Sequence, residues 1–180
     1  RMLAGPMDFT PGIFDLTIRN PTGTGRQPHE PRVRTTLAKQ LALYVVLYSP
    51  MHMAADIIEN YERQPAFKFI RDVAVDWDTT RVVHGKIGDY VVVARKARNS
   101  PEWFIGAITD EEARTFTVPL NFLPRGRSYV AEIYADGPNA HWLTNPLPVA
   151  ISSRPVTSAS SLRLVLAAGG GQAIRLRPAR

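Results

Sequence analysis

Four histidines and a set of carboxylates are the side chains of this sequence that could support acid–base, metal or hydrolytic chemistry. The histidines stand at positions 29, 52, 84 and 141, and no two of them have metal-ligand spacing. No Gly-x-Ser-x-Gly motif offers a serine nucleophile, and no glycine-rich loop opens a helix to hold a phosphate. The sequence therefore predicts no metal site and no catalytic residue for acyl or phosphoryl transfer.

The carboxylates leave glycoside hydrolysis open, because that reaction requires two carboxyl groups facing each other across the scissile bond. Asp8 follows an apolar stretch. If that stretch is a barrel strand, Asp8 lies at its C-terminal end, where barrel enzymes keep their chemistry; otherwise it caps the turn formed by residues 9–12. Asp76 and Asp78 flank Trp77, whose ring could stack on a sugar or could anchor a β domain against its neighbour.

Composition and charge place the chain among ordinary globular proteins. It has 180 residues, 44% of them hydrophobic and 21% charged, and no cysteine. Its net charge of +6 would suit a nucleic-acid partner if the basic residues were clustered. They are spread instead, and Arg163, Arg175 and Arg177 alternate with apolar residues, which predicts that they lie on the wet faces of strands. We therefore expect no nucleic-acid partner, and no apolar run is long enough to span a membrane.

The first third of the chain predicts a strand, a long loop and helices. Residues 1–14 suggest a short apolar strand that ends in a turn, and residues 15–34 form a loop interrupted by prolines and glycines. Residues 35–49 predict a helix that is apolar nearly all round, with Thr35 or Thr36 as its N-cap and Pro50 at its end. A second helix is expected over about 51–62, and Pro65 marks a junction.

From residue 72 onward the hydrophobic period changes to that of strands. Eight short strands separated by turn residues predict an antiparallel β-sandwich. Acidic residues 110–112 predict a solvated hairpin tip, and the three glycines at 169–171 a hairpin turn. The expected strands cover residues 80–84, 89–96, 102–109, 114–120, 128–135, 147–152, 161–167 and 172–177.

A strand, a long loop and an apolar helix cannot fold alone, so residues 1–64 suggest the last β-loop-α unit of a (β/α)₈ barrel. Because the chain starts at Arg1 rather than Met, we expect a truncation. Most of the barrel would then be missing, so the helix over 36–49 should be poorly covered. The chain should self-associate, stay docked on the rest of a nicked enzyme, or hold this helix loosely beside the sandwich. On this interpretation residues 65–180 form a separate domain that folds without the helix. A sandwich appended to a barrel is a familiar layout among enzymes that cut sugars, which is an analogy only.

Five segments of the sequence resemble glycoside hydrolase family 97. Residues 1–12 (RMLAGPMDFTPG) are similar to the last barrel strand of that family, and residues 36–50 (TLAKQLALYVVLYSP) to the helix after it. Residues 76–80 (DWDTT), 88–90 (GDY) and 103–107 (WFIGA) resemble the start of its C-terminal β domain. The resemblance covers essentially the whole chain and rests on long, specific motifs.

The resemblance implies an exo-acting α-glycosidase, an α-glucosidase or α-galactosidase, with an N-terminal sandwich, a catalytic (β/α)₈ barrel and a C-terminal β domain. It implies calcium held by glutamates in the active site of the intact enzyme, and catalytic carboxylates that all precede the matching region. It also implies an α-linked oligosaccharide as substrate and a periplasmic or secreted location. None of the catalytic or calcium-binding residues can be carried over to this chain, which we expect to be inactive alone.

Two roles remain for the chain on this interpretation. Residues 1–64 would complete the barrel and residues 65–180 would brace it, with Asp8, Phe9 and Thr10 as the candidates nearest the substrate. Alternatively the sandwich is a carbohydrate-binding module that uses surface tryptophans, Trp77 above all. A buried tryptophan favours the brace, and an exposed row of rings favours the binding module.

Overall fold

The computed structural model describes residues 5–17 and 32–179. Three helices precede eight strands along the chain. The helices are α1 (Leu37–Val46), α2 (Ile58–Tyr61) and α3 (Phe67–Asp72). The strands are β1 (Trp77–Lys86), β2 (Tyr90–Ala97), β3 (Trp103–Thr109), β4 (Arg114–Pro119), β5 (Tyr129–Asp136), β6 (Val149–Val156), β7 (Ser161–Leu166) and β8 (Gly171–Pro178). Each of the eight predicted strands is therefore present, with ends that shift by a few residues.

The strands form two antiparallel sheets that face each other. The larger sheet has six strands in the order β1-β2-β3-β8-β5-β6, and β4 pairs with β7 in the smaller sheet. On β7 the residues alternate between exposed and buried, with Leu162, Leu164 and Leu166 facing the larger sheet. The chain is thus mainly antiparallel β with few helices, as a β-sandwich requires.

The middle strands of the larger sheet do not alternate, because both of their faces are covered. Strands β2, β3 and β8 are buried over most of their length. On β3, Ile105 packs toward the smaller sheet, whereas Phe104 packs toward α1 on the opposite face. The chain therefore has three layers: the β4–β7 sheet, the six-stranded sheet, and α1 with its neighbouring segments.

Helix α1 is buried within this chain, so the expectation that it would be poorly covered is wrong. Thr36 caps it as predicted, its hydroxyl accepting a hydrogen bond from Lys39 N at 3.2 Å. Leu41 and Val45 are fully buried. The six-stranded sheet covers one side of the helix, and residues 11–16 and 61–69 cover another. The sheet was not expected as the partner because residues 1–64 were assigned to a barrel and residues 65–180 to a separate domain.

Asp136 joins α1 to the sheets at the N-terminal end of the helix. Its carboxylate accepts a hydrogen bond from the Thr36 hydroxyl at 2.6 Å and from the backbone N–H groups of Ala167 and Gly171 at 2.8 and 2.9 Å. Burial raises the pKa of Asp136, and these hydrogen bonds partly oppose the rise. At the other end of the helix, Arg95 Nη2 donates to Val46 O at 3.2 Å.

Other parts of the N-terminal third differ from the predictions. The described residues 5–16 contain no strand, and Thr17 forms an isolated bridge with Arg32. The apolar residues of the predicted first strand (residues 2–4) and most of the predicted loop (residues 18–31) lie outside the described residues, so that strand stays a prediction. The helix expected over 51–62 is reduced to α2 because Ala55 N donates to Pro11 O and Met53 O bonds to Tyr44, which holds this segment away from helical geometry.

The alternating arginines divide into two groups. Arg163 is exposed as predicted. Arg175 is instead half-buried between Glu102 and Asp72, at 2.9 and 2.8 Å, and Arg177 pairs with Glu132 at 2.7 Å. Carboxylates therefore neutralise part of the basic charge, which counts against a surface for nucleic acid.

Candidate functional site

The candidate residues nearest a substrate lie in the segment over residues 5–17, which precedes α1 in the chain. Asp8 and Thr10 are exposed, whereas Phe9 is half-buried and packs against the cluster around α1. This alternation anchors the segment through one side chain and presents the two polar ones to solvent. A single exposed carboxylate supplies at most one of the two groups that glycoside hydrolysis requires.

Two side chains of α1 hold the turn that follows these residues. Gly12 N donates to Gln40 Oε1 at 3.1 Å, and the Tyr44 hydroxyl lies 3.1 Å from Pro11 O. Gly12 has a φ of +85°, and a Cβ atom there would lie only 2.5 Å from the Tyr44 hydroxyl oxygen. Only glycine fits this turn, both for its backbone conformation and for the close approach of the phenol.

Tyrosine 61 extends this network under the turn. The Tyr61 hydroxyl donates to Gly12 O at 2.8 Å and accepts a hydrogen bond from Asp56 N at 2.9 Å. Burial raises the pKa of Tyr61, and also that of Tyr44. Both phenols therefore stay protonated and act as hydrogen-bond donors to the backbone across the physiological pH range.

Asp56 fixes the end of the segment. Its Oδ2 atom accepts from the N–H groups of Phe14 and Asp15 at 2.8 and 2.7 Å, and its Oδ1 atom accepts from Asn60 Nδ2 at 2.6 Å and Ile57 N at 2.9 Å. Burial alone would raise the pKa of Asp56, but these hydrogen bonds outweigh it and hold the pKa below its ordinary value. The carboxylate is thus ionised at neutral pH and acts as an anchor.

Trp77 offers no open ring face to a sugar. It is 7% exposed, with the Phe104 ring 5.6 Å from its own and the Arg95 guanidinium 5.8 Å from its centroid. The stacking hypothesis for Trp77 therefore has no exposed surface to support it, and the ring is placed as an anchor between β1 and β3. Trp103 is also buried, at 5%.

The carboxylates that flank Trp77 are engaged in ion pairs. Asp76 lies 2.5 Å from Arg98 Nε and accepts a hydrogen bond from the Tyr48 hydroxyl at 3.1 Å. The hydrogen bond from Arg98 is the main reason that the pKa of Asp76 is below its ordinary value. Asp78 pairs with Lys96 at 2.7 Å. These contacts link β1 to β2 and the end of α1, which fits a structural role.

The described part of the chain contains no metal site. Among residues 5–17 and 32–179, no group of three or more His, Asp or Glu side chains could hold an ion. A calcium ion is coordinated by about six to eight oxygen atoms. The side chains described here therefore do not fit a calcium centre of their own.

Gln40, Tyr44, Asp56 and Tyr61 were not predicted as parts of the site. One signal was available: Gln40 is one of only two strongly polar residues in an otherwise apolar helix. A buried polar side chain requires a hydrogen-bond partner. The partner, Gly12, is 28 positions away, so the sequence pattern could not identify it.

Comparison with known proteins finds relatives over nearly the whole length of this chain. Residues 76–177 match the family described as glycosyl-hydrolase 97 C-terminal, oligomerisation. A retaining α-galactosidase of Bacteroides thetaiotaomicron is 38% identical over 180 residues, which cover 98% of this chain and 26% of that protein. A probable retaining α-galactosidase of Streptomyces bingchenggensis is 31% identical over 140 residues, 77% of this chain and 20% of that protein.

A solved structure agrees with these relatives. It is a glycoside hydrolase family 97 enzyme from Pseudoalteromonas sp. strain K8 in complex with acarbose, 50% identical, with a TM-score of 0.91 over 99% of this chain and 27% of that one. The chain therefore spans about a quarter of the length of the proteins it matches. No helix among the described residues is long and apolar enough to cross a membrane. From the family match over more than half its residues, this chain belongs to glycoside hydrolase family 97, and it corresponds to the family's C-terminal region.

Proposed function

We propose that this chain is the C-terminal part of an exo-acting α-glycosidase that hydrolyses terminal α-linked sugars. The observation that carries the proposal is the match of 98% of the chain to about a quarter of a retaining α-galactosidase. The names of the two curated relatives favour a retaining α-galactosidase. The acarbose complex of the 50% identical structure keeps an α-glucosidase as the second possibility for the sugar.

Within that enzyme, residues 1–64 would form the end of the catalytic (β/α)₈ barrel and residues 65–180 the β-sandwich that braces it. Helix α1 supports this arrangement because it is fastened on one side to residues 11–12 and on the other to the six-stranded sheet. The anchored segment would carry Asp8 and Thr10 toward the substrate. The chain's own role is then structural: it closes the barrel and holds the last barrel segment in place.

The chemistry would belong to the rest of the polypeptide. The resemblance to the family implies catalytic carboxylates and a glutamate-bound calcium ion that would both precede the region covered here. The same resemblance supports a periplasmic or secreted enzyme. Calcium would supply a fixed positive charge near the substrate, and no residue described here is assigned to it.

The burial of the tryptophans favours the brace over the binding module as the main role. Trp77 and Trp103 are buried, and only Trp142 is partly exposed. A flat row of exposed rings is therefore missing from the described residues. We assign the sandwich as a whole to bracing.

The test compares the full-length enzyme with this chain on aryl α-glucoside and aryl α-galactoside. We expect the full-length enzyme to hydrolyse one of the two and this chain alone to hydrolyse neither, because glycoside hydrolysis needs a facing carboxylate pair. Turnover by this chain well above the uncatalysed rate would contradict the proposal, as would a full-length enzyme inactive on both.

A further inference from the structure

A cavity of about 420 Å³ opens beside the N-terminal end of α1. Its volume is within the range of small-ligand pockets. Its lining combines one indole, two cations and two carboxylates with a glycine: Arg34, Lys39, Asp110, Glu111, Trp142 and Gly169.

The indole of Trp142 is held in a fixed position on the cavity wall. It lies in the turn between β5 and β6, which His141 and Asn145 close by an isolated bridge. Trp142 N donates to Ala168 O at 3.1 Å. Gly169 packs so closely that a Cβ atom there would lie 2.5 Å from the Trp142 Cβ. The residue is half-buried, and the His141 ring stacks on the indole with centroids 5.9 Å apart, so only part of the indole surface is open to a ligand.

The charged side chains around the ring are of both signs. Lys39 Nζ donates to Thr109 O at 2.6 Å, and its pKa is lowered by burial. The Arg34 guanidinium lies 5.6 Å from the Trp142 ring centroid. Asp110 is paired with Arg114 at 2.9 Å, whereas Glu111 is exposed and makes no ion pair with any described residue. Both cations are pure donors and both carboxylates pure acceptors.

We propose that this cavity binds a neutral sugar residue, with Trp142 against the apolar face of the ring. The two cations and the two carboxylates balance in formal charge, so the lining favours neither an anion nor a cation. Each hydroxyl of a sugar can donate to Glu111 and accept from Lys39 or Arg34, so a polyhydroxylated neutral ligand satisfies both kinds of group. An indole supplies the apolar wall that such a ligand requires.

Residues next to the cavity connect it to the catalytic face of the barrel. This step rests on the proposed function. Thr17 and Arg32 form a bridge, so the chain leaves and returns at one place on either side of residues 18–31. Arg32 Nη1 donates to Leu143 O at 2.6 Å, which joins that place to the Trp142 turn. Loops that follow barrel strands lie on the catalytic face. The cavity would therefore hold a sugar of the same oligosaccharide whose terminal residue is cleaved.

The first experiment measures binding to this chain by saturation-transfer NMR, with maltotriose and raffinose as probes. We expect saturable binding of at least one probe. Glu111→Gln should weaken it about tenfold, the equivalent of one lost charge-assisted hydrogen bond. Glu112→Gln, a neighbouring change outside the cavity, should alter it less than about twofold. No binding by the folded wild-type chain, or equal losses for both variants, would overturn the site.

The second experiment uses the full-length enzyme. Trp142→Ala should lower the ratio of kcat/KM for the oligosaccharide to kcat/KM for the aryl glycoside about tenfold, and Glu111→Gln should lower it in the same direction if Trp142→Ala fails to fold. An unchanged ratio with binding intact would overturn the link to the catalytic face. A full-length enzyme without glycosidase activity, beside a chain that binds sugar through Glu111, would overturn the proposed function and support the site.

Discussion

The two faces of the six-stranded sheet carry hydrophobic clusters that are built by different means. The cluster toward β4 and β7 is formed almost entirely by strands, and its residues are spaced two apart, as Leu162 and Leu164 are. The cluster toward α1 combines residues of the helices, such as Tyr61 of α2, with the irregular segment that carries Phe14. One side is therefore organised by strand periodicity, and the other by contacts between residues far apart in sequence.

The helix side also depends on polar anchors. Residues 11–15 have no regular structure, so their backbone groups cannot pair within a helix or sheet. Side chains of Gln40, Tyr61 and Asp56 supply the missing partners. The difference teaches that irregular chain can be fixed in a core when buried polar side chains satisfy its backbone, at the cost of sensitivity to single changes.

The largest effect is expected from removing α1 and α2 while α3 stays on the sheet. The polypeptide 65–180 would expose the outward face of the sheet, including Val91, Val93 and Phe104. Each such side chain contributes roughly 1.5–3 kcal/mol when buried. We expect 65–180 to aggregate or to melt without cooperativity, in contrast to residues 1–180. Light scattering and thermal melting measure both properties.

One result would contradict this expectation. If 65–180 were a folded monomer as stable as the full chain, the boundary at residue 65 proposed from the sequence would separate two independent units. The polypeptide 32–180, which keeps α1, provides the matched control. It should be more stable than 65–180, because Leu41, Val45 and their neighbours again cover the sheet.

A smaller effect should follow from adding one methyl group between α1 and β3. Gly106 faces the helix, and a Cβ atom there would lie 2.8 Å from both Ala42 O and Val45 Cβ. Gly106→Ala should lower the free energy of unfolding by about 1–3 kcal/mol through overpacking. Gly85→Ala, where the nearest atom is 3.6 Å away, is the control and should stay within about 0.5 kcal/mol of wild type. Equal melting curves would show that the helix moves freely on the sheet.

The sequence predicted the strand side of the molecule better than the helix side. Turn residues and alternation located all eight strands, and the hydroxyl of Thr36 was identified as a cap of α1. The apolar run at 91–94 carried a further signal, since a strand buried on both faces has no alternation. Residues 65–180 were expected to fold without the helix, and so the partner of α1 was missed.

The candidate site also contains residues that the sequence predicted and residues that it did not predict. Asp8, Phe9 and Thr10 were predicted because they follow an apolar stretch and match a family motif, and their place near a substrate stays a prediction. Their anchors depend on long-range pairs, such as Asp56 with Phe14, 42 positions apart. Local propensity carries no information on such a pair, so Asp56 could not be distinguished from any other exposed carboxylate. The sugar cavity around Trp142 likewise joins four separate segments.

The smallest expected effect is a change in stability that depends on pH, and it tests the role of Asp56 as an anchor. In the folded chain the pKa of Asp56 is lower than its ordinary value, so its contribution to stability is present above the unfolded pKa, near 4, and is lost as the pH falls through the folded pKa. Asp56→Asn should cost about 1–2 kcal/mol at pH 7, because the amide cannot accept all four hydrogen bonds, and the difference from wild type should shrink as the pH falls below 4. Urea unfolding at several pH values measures it, with Glu62→Gln at an exposed position as the control. A difference that stays constant between pH 7 and pH 3 would mean that the charge of Asp56 does not hold residues 14 and 15, and that packing of Phe14 alone fixes this end of the segment.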